Sequence, residues 1–333
     1  MDEHATRPEQ EDLQQERAGS RALSVFARVL NARILQAHAD GPLRSSELET
    51  KLGWAAKASL RVGVENLRQM GALAQASPPG TRRAVAMELT PAGHDLLGVA
   101  EILESWLSRS PFGPIELPDT AARGVVRALV AGWDSTIVRA LAERPRSLAE
   151  LSSEIAGHSY PALKRRLSML RSANLVTPVS GDRRSPSQAA TTWLRFAAGP
   201  LSAASRWERD HANGLATPIT RQEIEAALLL ALPLVEFPRG ASGDCVLAAP
   251  ATQGAKGKEE PALAAVSVVV ENGKLDSLGP GAASTPRTWA LGTPPSWLDA
   301  MVDGRCDELR LRGPDADLVA AIVTGIHKAL FVA

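Results

Sequence analysis

Cysteine is nearly absent from this sequence, which has only Cys245 and Cys306 in 333 residues. The two do not form a Cys-x-x-Cys pair, and no histidine–cysteine cluster has the spacing of metal ligands. Neither a disulfide framework nor a zinc site is therefore expected. This composition suits a reducing compartment, and we expect a cytoplasmic protein without a bound metal or cofactor.

Aromatic residues are also scarce, at 4% of the chain against 44% for all hydrophobic residues. Hydrophobic cores must therefore be built mainly from leucine, alanine and valine, and such cores suit helices. The chain is too long for one ordinary core, so two or three domains are expected.

Long apolar runs and an excess of one charge are missing as well. No stretch approaches the roughly 18 consecutive apolar residues that predict a membrane-spanning helix, so no membrane partner is expected. Residues 1–17 are acidic and glutamine-rich, unlike a signal peptide, and we expect residues 1–19 to form a disordered tail. The formal net charge is zero, so any surface that binds nucleic acid must be a local basic patch.

Catalytic signatures are missing too, because the sequence contains no GxSxG, Walker, GxGxxG, HExxH or protein-kinase motif. Asp299 and Asp303 are one helical turn apart, but a lone acidic pair is the ordinary pattern of a solvated helix surface. We therefore expect no enzymatic activity.

Two segments of similar pattern begin near residues 22 and 122, which indicates an internal repeat. Each starts with the pattern of one long apolar helix and reaches a proline-containing break. A short helix is predicted next, over residues 45–53 and 147–155. In the second segment Ser147 and Glu150 have the spacing of a capping box, which satisfies free amide groups at a helix start.

A third helix follows in both segments, with apolar residues at the spacing i, i+4, i+7 that places them on one buried face. These residues are Leu60, Val64 and Leu67 in the first segment and Leu163, Leu167 and Leu170 in the second. Each third helix ends at a turn residue, Gly71 or Asn174. A hairpin with a basic turn and a closing helix are then predicted. The turns lie at 77–83 and 180–184, the returning strands at 85–90 and 189–193, and the closing helices at 91–107 and 199–211.

These patterns resemble the winged helix-turn-helix domains of HxlR and MarR-type bacterial regulators. In the first segment the resemblance rests on residues 45–53, the helix at 55–70, Gly71, the basic turn, and residues 88–97. The second segment resembles HxlR more closely, through Trp133, Ile137, Leu141, Glu150, Leu151, Ser159, Leu163, Leu167 and Leu170. The chain lacks the cysteine that many family members carry ahead of the first helix, so thiol sensing is not implied. The resemblance implies a mostly α fold with small β-wings, with one module at 20–108 and a second at 119–213.

In winged helices of this kind the third helix enters the major groove of DNA, while the wing and the helix ends contact phosphates. The resemblance therefore implies contacts from outward-facing third-helix residues and from basic wing residues. In the second module these are Tyr160, Lys164, Arg165, Ser168 and Arg171, with Arg166 at the margin, and Arg183 and Arg184 in the wing. In the first module they are Lys57, Arg61 and Arg68, with Arg82 and Arg83 in the wing. Glu65 and Gly63 weaken the first helix as a DNA reader, so the second module is expected to bind more strongly.

The last part of the chain, residues 218–333, predicts an α+β domain. An apolar helix pattern over 221–232 precedes several strands, and Asn272-Gly273 suits a two-residue type I′ turn between two of them. The end of this region is similar to the sterol carrier protein fold, which implies an apolar tunnel between sheet and helices. The candidate lining residues are Trp289, Trp297, Leu298, Met301, Ile322 and Ile326. The alternatives are that these residues form a closed core and that the domain serves dimerisation.

Two functions from different classes follow from these patterns. The first is a DNA-binding transcription regulator whose C-terminal domain senses an apolar small molecule or mediates assembly. Its partners would be double-stranded DNA and that ligand, with a homodimer as one arrangement. The second is a non-DNA ligand-binding or protein-interaction protein in which the winged helices are structural.

Overall fold

A computed structural model of the chain describes residues 17–76, 86–117, 119–155, 158–179, 186–212, 214–250, 263–282 and 286–332. The helices of the first half are α1 (Ser20–Phe26), α2 (Val29–His38), α3 (Ser45–Lys51), α4 (Lys57–Gln69), α5 (Pro91–Ser108), α6 (Thr120–Gly132), α7 (Ser135–Glu143), α8 (Leu148–Glu154) and α9 (Tyr160–Ser172). Those of the second half are α10 (Thr192–Phe196), α11 (Ala198–His211), α12 (Arg221–Ala231), α13 (Pro294–Asp303) and α14 (Ala316–Phe331). The strands are β1 (Leu43–Arg44), β2 (Leu73–Gln75), β3 (Ala86–Leu89), β4 (Val176–Val179), β5 (Ser187–Ala190), β6 (Gly243–Ala249), β7 (Ala264–Glu271), β8 (Lys274–Pro280), β9 (Thr288–Leu291) and β10 (Arg310–Arg312). The described chain is mostly helical, with two small sheets and one five-stranded sheet.

The chain divides into two compact units. A helical unit comprises Ala18–Val130 and Ala203–Pro218, and a sheet unit includes Ala131–Ser202 and Ile219–Ala333. Most of the predicted second module and the predicted C-terminal domain therefore fall in the same unit. The domain boundaries expected from the sequence stay predictions.

The helical unit is built around α2, which packs against α3, α4 and α5. Its small antiparallel sheet has the order β1-β3-β2, with Leu43 opposite Met87 and Leu73 opposite Leu89. The largest fully buried side chains of this unit are Leu23, Phe26, Ile34, Leu35, Leu67, Leu73, Leu96, Leu103, Leu107, Leu117 and Leu129. The core is thus mainly leucine, as the scarcity of aromatic residues predicts.

The start of α5 touches the backbone ahead of β2. The Thr90 hydroxyl accepts a hydrogen bond from the backbone N–H of Gly93 at 3.0 Å, which caps the helix. A Cβ atom at Gly93 would lie 2.1 Å from the carbonyl oxygen of Ala72 and 2.9 Å from Leu89 Cδ2. Only glycine fits at position 93, because any side chain would collide with the backbone of Ala72.

Replacing Gly93 with alanine should lower the free energy of unfolding of the helical unit by about 3 kcal/mol, the upper part of the range for overpacking. The matched control is Gly98→Ala on the same helix, where the new Cβ would meet nothing within 4 Å. That control should stabilise the unit by up to about 1 kcal/mol through helix propensity. Urea unfolding followed by circular dichroism would measure both, and equal stability of the two variants would contradict the prediction.

In the sheet unit, β6 to β10 form a five-stranded sheet with the order β10-β9-β6-β7-β8. Strands β6 and β9 run parallel, and the other neighbouring strands run antiparallel. The turn between β7 and β8 places Asn272 and Gly273 at φ values of 50° and 76°. Both are left-handed conformations, as a type I′ turn requires, so the hairpin predicted from Asn-Gly is confirmed.

Helix α12 is buried from Ile224 to Ala231. It packs against α7 on one side and against strands β6 and β7 on another. The carboxylate of Glu225, in a side chain 6% exposed, pairs with Arg139 of α7 at 3.1 Å. Arg195 donates hydrogen bonds to the carbonyl oxygens of Leu229 and Ala142. Helix α12 therefore belongs both to the core beneath the sheet and to the core around α7.

The same order of elements occurs twice along the chain. In the helical unit α2, β1, α3, α4, the β2–β3 hairpin and α5 follow one another. Later α7, a bridging residue, α8, α9, the β4–β5 hairpin and α10 with α11 do the same. The bridging residue Arg146 pairs with Gln188 of β5, in the place where β1 pairs with β3. The third helix of each copy ends beside a left-handed residue, Gly71 or Asn174, as predicted.

The prediction of one long first helix in each copy is wrong, because each is broken into two helices. The first break falls at Arg28, whose backbone is extended between α1 and α2. No glycine or proline marks it. The second break falls at Asp134, whose carboxylate accepts hydrogen bonds from the N–H groups of Thr136 and Ile137 and so caps α7. This aspartate is the preferred type of N-cap residue and was a readable signal.

The predicted position of the returning strand in the second copy is wrong by a few residues. The strand is Ser187–Ala190, in register with Val176–Val179, rather than 189–193. Thr191 instead caps α10, because its hydroxyl accepts a hydrogen bond from the N–H of Leu194 at 3.1 Å. The closing helices at 91–107 and 199–211 are confirmed as α5 and α11.

Parts of the predicted tail and hairpins lie outside the described residues. These are residues 1–16 of the tail, 77–85 in the first copy and 180–185 in the second. Of the remaining tail residues, Ala18 is buried and Gly19 immediately precedes α1.

Candidate nucleic-acid interface

Helix α9 buries one face and exposes the other. Ser159 caps its first turn by accepting a hydrogen bond from the N–H of Ala162. The predicted apolar stripe of Leu163, Leu167 and Leu170 is buried, as expected. The exposed face carries the predicted residues Tyr160, Lys164, Arg165, Ser168 and Arg171. The sequence pattern therefore predicts the inward and outward sides of α9 correctly for these eight residues.

Four of these five exposed residues line a single groove of about 250 Å³. They are Tyr160, Lys164, Ser168 and Arg171, and Leu148, Leu167, Pro186 and Gln188 complete the lining. The groove thus lies between α9, the start of α8 and strand β5 with the residue before it. Nothing in the sequence spacing singled out Pro186 or Gln188, because the register of β5 was misplaced.

The cations of this face have no acidic partner in the part of the chain that the structure describes. Within the described part of the chain, Lys164, Arg165 and Arg171 form no ion pair. The acids of α7 and α8 have arginine partners of their own: Arg146 pairs with Glu143 at 2.9 Å and with Glu154, and Arg144 pairs with Glu150 at 3.0 Å. The outward face of α9 therefore carries uncompensated positive charge.

Arg166 does not belong to this face. Its side chain is 7% exposed, and Nη1 donates hydrogen bonds to the Asp134 carboxylate at 2.8 Å and to the carbonyl oxygen of Trp133 at 3.4 Å. The prediction that placed Arg166 at the margin of the outward face is wrong, because a buried acid draws this side chain inward. Helix periodicity places Arg166 beside the buried stripe, three residues after Leu163 and four before Leu170. The acid that pairs with it comes from the start of another helix.

Asp134 is the centre of a buried polar cluster. Burial alone would raise the pKa of its carboxyl group, but hydrogen bonds from Thr136 and Ile137 and the charges of His158 and Arg166 together lower it below the ordinary value. The carboxylate is therefore held ionised. His158 Nε2 lies 2.7 Å from the same oxygen that accepts from Arg166.

The corresponding face of α4 lines a larger groove, of about 520 Å³, but most of its cations are paired. Lys57, Arg61 and Arg68 all line it, together with the acids Glu49 and Glu65. Lys57 pairs with Glu49, and Arg68 pairs with Glu65, both at 2.8 Å. Arg61 forms no ion pair among the described residues.

Glu65 is firmly held in its ionised form. Hydrogen bonds from Arg68 and Gln69 lower the pKa of its carboxyl group to about 2. The acid at this position therefore neutralises Arg68 at any ordinary pH. This agrees with the expected weakness of the first face for a polyanion.

Gly63 has a packing role that sequence reasoning missed. A Cβ atom there would lie 2.5 Å from Ile34 Cδ1 of α2. The glycine lets α4 approach α2 closely, so its cost in helix propensity is offset by packing. The predicted apolar residues Leu60 and Leu67 are buried, and Val64 is half-buried.

The predicted wing arginines, Arg82, Arg83, Arg183 and Arg184, lie outside the described residues.

The predicted ligand-lining residues fall into two groups. Trp297, Leu298, Met301, Ile322 and Ile326 are fully buried in the sheet unit. Trp289 instead packs with Leu291 against Val246, Ala248 and Ala265. Its neighbour Thr288 bonds to Asp315 at the start of α14, so strand alternation points Trp289 to the opposite face of the sheet. The structure therefore does not bring Trp289 together with the other five.

A comparison of the chain with models of known protein families found no match, and a comparison with curated protein sequences found none either. Across the described ranges, no helix has both the length and the apolar character needed to cross a membrane. Within the same ranges, no group of three or more histidine, cysteine or carboxylate side chains is placed to hold a metal ion.

Proposed function

We propose that the protein is a DNA-binding transcription regulator with two winged helix-turn-helix modules, of which the second is the principal DNA reader. The observation that carries this proposal is the face of α9, where Tyr160, Lys164, Ser168 and Arg171 line one groove. Its cations have no acidic partner among the described residues. An exposed helix face with unpaired basic side chains is complementary in charge to the phosphates that border a major groove.

The side chains on this face suit both parts of DNA recognition. Lysine and arginine neutralise phosphates, and either can donate to the O6 and N7 atoms of guanine. A serine hydroxyl can donate to or accept from a base edge. The single tyrosine of the chain, Tyr160, is 52% exposed at the first turn, where its ring and hydroxyl can contact the sugar–phosphate backbone. The β4–β5 hairpin would serve as the wing beside this helix.

The test is binding of the purified full-length protein to a mixed pool of genomic DNA fragments, at low and moderate salt, followed by sequencing of the bound fraction. We expect a discrete motif that stays enriched at moderate salt, because base contacts add a salt-independent preference to the phosphate contacts. Weak binding without a motif, lost as salt rises, would refute the regulator function.

A second function, protein interaction by the first module, is favoured by a different observation. The cations of α4 are mostly paired, and two large apolar side chains nearby are exposed, Val62 at 58% and Trp54 at 64%. Such a surface suits a protein partner better than a phosphate backbone. In the pool experiment, a motif with only one half-site would favour this division of roles between the modules.

For the C-terminal domain we propose the role of a sensor of an apolar small molecule or an assembly domain. Its support is the resemblance to the sterol carrier fold; the complete burial of Trp297, Leu298, Met301, Ile322 and Ile326 favours a closed core and therefore the assembly role. The proposal places the whole protein in the cytoplasm, where its DNA would be found.

A further inference from the structure

The Asp134 carboxylate divides its two oxygens between two helices. Oδ1 accepts from the N–H groups of Thr136 and Ile137, at 3.0 and 3.2 Å, and from the Thr136 hydroxyl. It thereby caps α7. Oδ2 lies 2.7 Å from His158 Nε2 and 2.8 Å from Arg166 Nη1. A carboxylate only accepts hydrogen bonds, so both of these nitrogens donate to it.

Of the two residues held by Oδ2, one lies just before α9 and the other lies within it. His158 directly precedes Ser159, the cap residue of α9, and Arg166 lies in the second turn. One oxygen therefore fixes both the entry and the middle of the helix that carries the candidate DNA face. The guanidinium also reaches the carbonyl oxygen of Trp133, which lies just before α7.

The cluster is also sheltered from water. The side chains of Asp134, Arg166 and His158 are 9%, 7% and 19% exposed. Hydrogen bonds to charged groups are about twice as strong as neutral ones, and in a dry site they are directional constraints rather than loose attractions. Removing one partner would break charge-assisted hydrogen bonds in this sheltered site, which is costly.

We infer that Asp134 and Arg166 are positioning residues, which set the angle and depth at which α9 presents its outward face to DNA. Arg166 supports recognition from behind the helix without touching nucleic acid. This inference rests on the proposed DNA-binding function, and it separates Arg166 from Lys164, Arg165 and Arg171, which point outward. It also explains why Arg166, one of the four cations of α9, pairs with the buried Asp134 instead of facing outward.

The test compares three substitutions in the full-length protein. Arg166→Met removes the guanidinium but keeps a flexible side chain, and Asp134→Asn keeps one oxygen for capping α7 while removing the charge. The matched control is Arg139→Met, which takes the cation from another buried carboxylate, Glu225, in the same unit and away from α9. Affinity for the motif selected from the fragment pool is measured at several salt concentrations, together with amide hydrogen exchange in α9.

We expect Arg166→Met and Asp134→Asn each to weaken specific binding about 10-fold, roughly the worth of one base contact. The slope of log affinity against log salt should stay as in the unsubstituted protein, because no phosphate contact is lost. A variant that combines Arg166→Met with Asp134→Asn should bind DNA as well as the single variant with the lower affinity, because the two residues act as one unit. Amides in α9 should exchange faster in both variants and not in Arg139→Met.

Three results would overturn the inference. A salt slope reduced by about one in Arg166→Met alone would make Arg166 a direct phosphate contact. An equal loss of binding in Arg139→Met would mean that general destabilisation is responsible. Unchanged binding in both cluster variants would show that α9 needs no support from Asp134.

Failure of the proposed function is a separate result. If the unsubstituted protein binds no DNA, hydrogen exchange alone decides whether Asp134 and Arg166 position α9. Faster exchange of α9 in both cluster variants, with the control unchanged, would support positioning. Exchange as slow as in the unsubstituted protein would overturn it.

Discussion

Replacing Lys164 and Arg171 together with alanine should weaken DNA binding about 30-fold at 0.15 M salt and lower the salt slope by about 2. This expectation assumes that each residue contacts one phosphate. Each such contact contributes about 0.9 to the slope of log affinity against log salt concentration. Both side chains are exposed, line the same groove and form no ion pair among the described residues. Their loss should therefore cost binding without a comparable loss of folding stability.

The matched control is the double substitution of Arg310 and Arg312 by alanine. Both are exposed on β10 in the same unit, so the net charge of the protein changes by the same amount. Binding curves by fluorescence anisotropy should show an affinity close to that of the unsubstituted protein for this control. An equal loss in both double variants would mean that overall charge, rather than the face of α9, attracts DNA.

Replacing Trp297 with alanine should lower the free energy of unfolding of the sheet unit by about 4 kcal/mol, which is within the range for replacing a buried aromatic side chain with alanine. The indole is completely buried. Its Nε1 donates a hydrogen bond to the carbonyl oxygen of Ala248 at 2.9 Å, and a Cβ at Gly292 would lie 3.2 Å from the ring. Tight surroundings of this kind cannot collapse into the space left behind.

Trp289→Ala is the control for that substitution, because Trp289 is the same residue type in the same unit but only half-buried. Its loss should be about half as large, in proportion to the apolar area it buries. Urea unfolding followed by circular dichroism measures both. A loss for Trp297→Ala no greater than for Trp289→Ala would contradict close packing and favour the alternative that Trp297 lines an open tunnel.

Much of the fold was predictable because local signals agreed with the tertiary packing. The capping box of Ser147 and Glu150 is present, with the Ser147 hydroxyl accepting from the N–H of Glu150 and the carboxylate accepting from the N–H of Ser147. Gly71, Asn174 and the Asn272-Gly273 pair take left-handed conformations because they tolerate them best. Signals of this kind involve single residues or residues at most three positions apart.

The outward face of α9 was predictable for a similar reason. An apolar stripe on a helix fixes the inward direction, and every residue off the stripe is then placed on the outside. Arg166 lies at the edge of this stripe, between Leu163 and Leu170, and a charged side chain can stay there because it pairs with a buried acid. Long-range pairing with Asp134, 32 positions earlier, has no signature in the spacing of residues along α9.

The two grooves and the pairing of charges in the first one were also beyond sequence reasoning. Glu65 was noticed as an unfavourable acid, but its bidentate contact with Arg68 depends on side-chain rotamers. The pair of Lys57 with Glu49 joins different helices. Whether a lysine is free to bind a ligand thus depends on acidic side chains of other helices, and the periodicity of its own helix does not reveal them.

The burial of α12 limits how this chain can be cut or exchanged. A fragment ending at residue 217 would remove α12, expose the apolar side of α7 to water, and leave Arg139 without Glu225. Arg195 would lose the carbonyl group of Leu229 as well. A gene rearrangement that transferred only residues 119–213 to another protein would therefore deliver an unstable piece. Any part of the chain that carries the α9 surface into another protein must therefore include α12 as well.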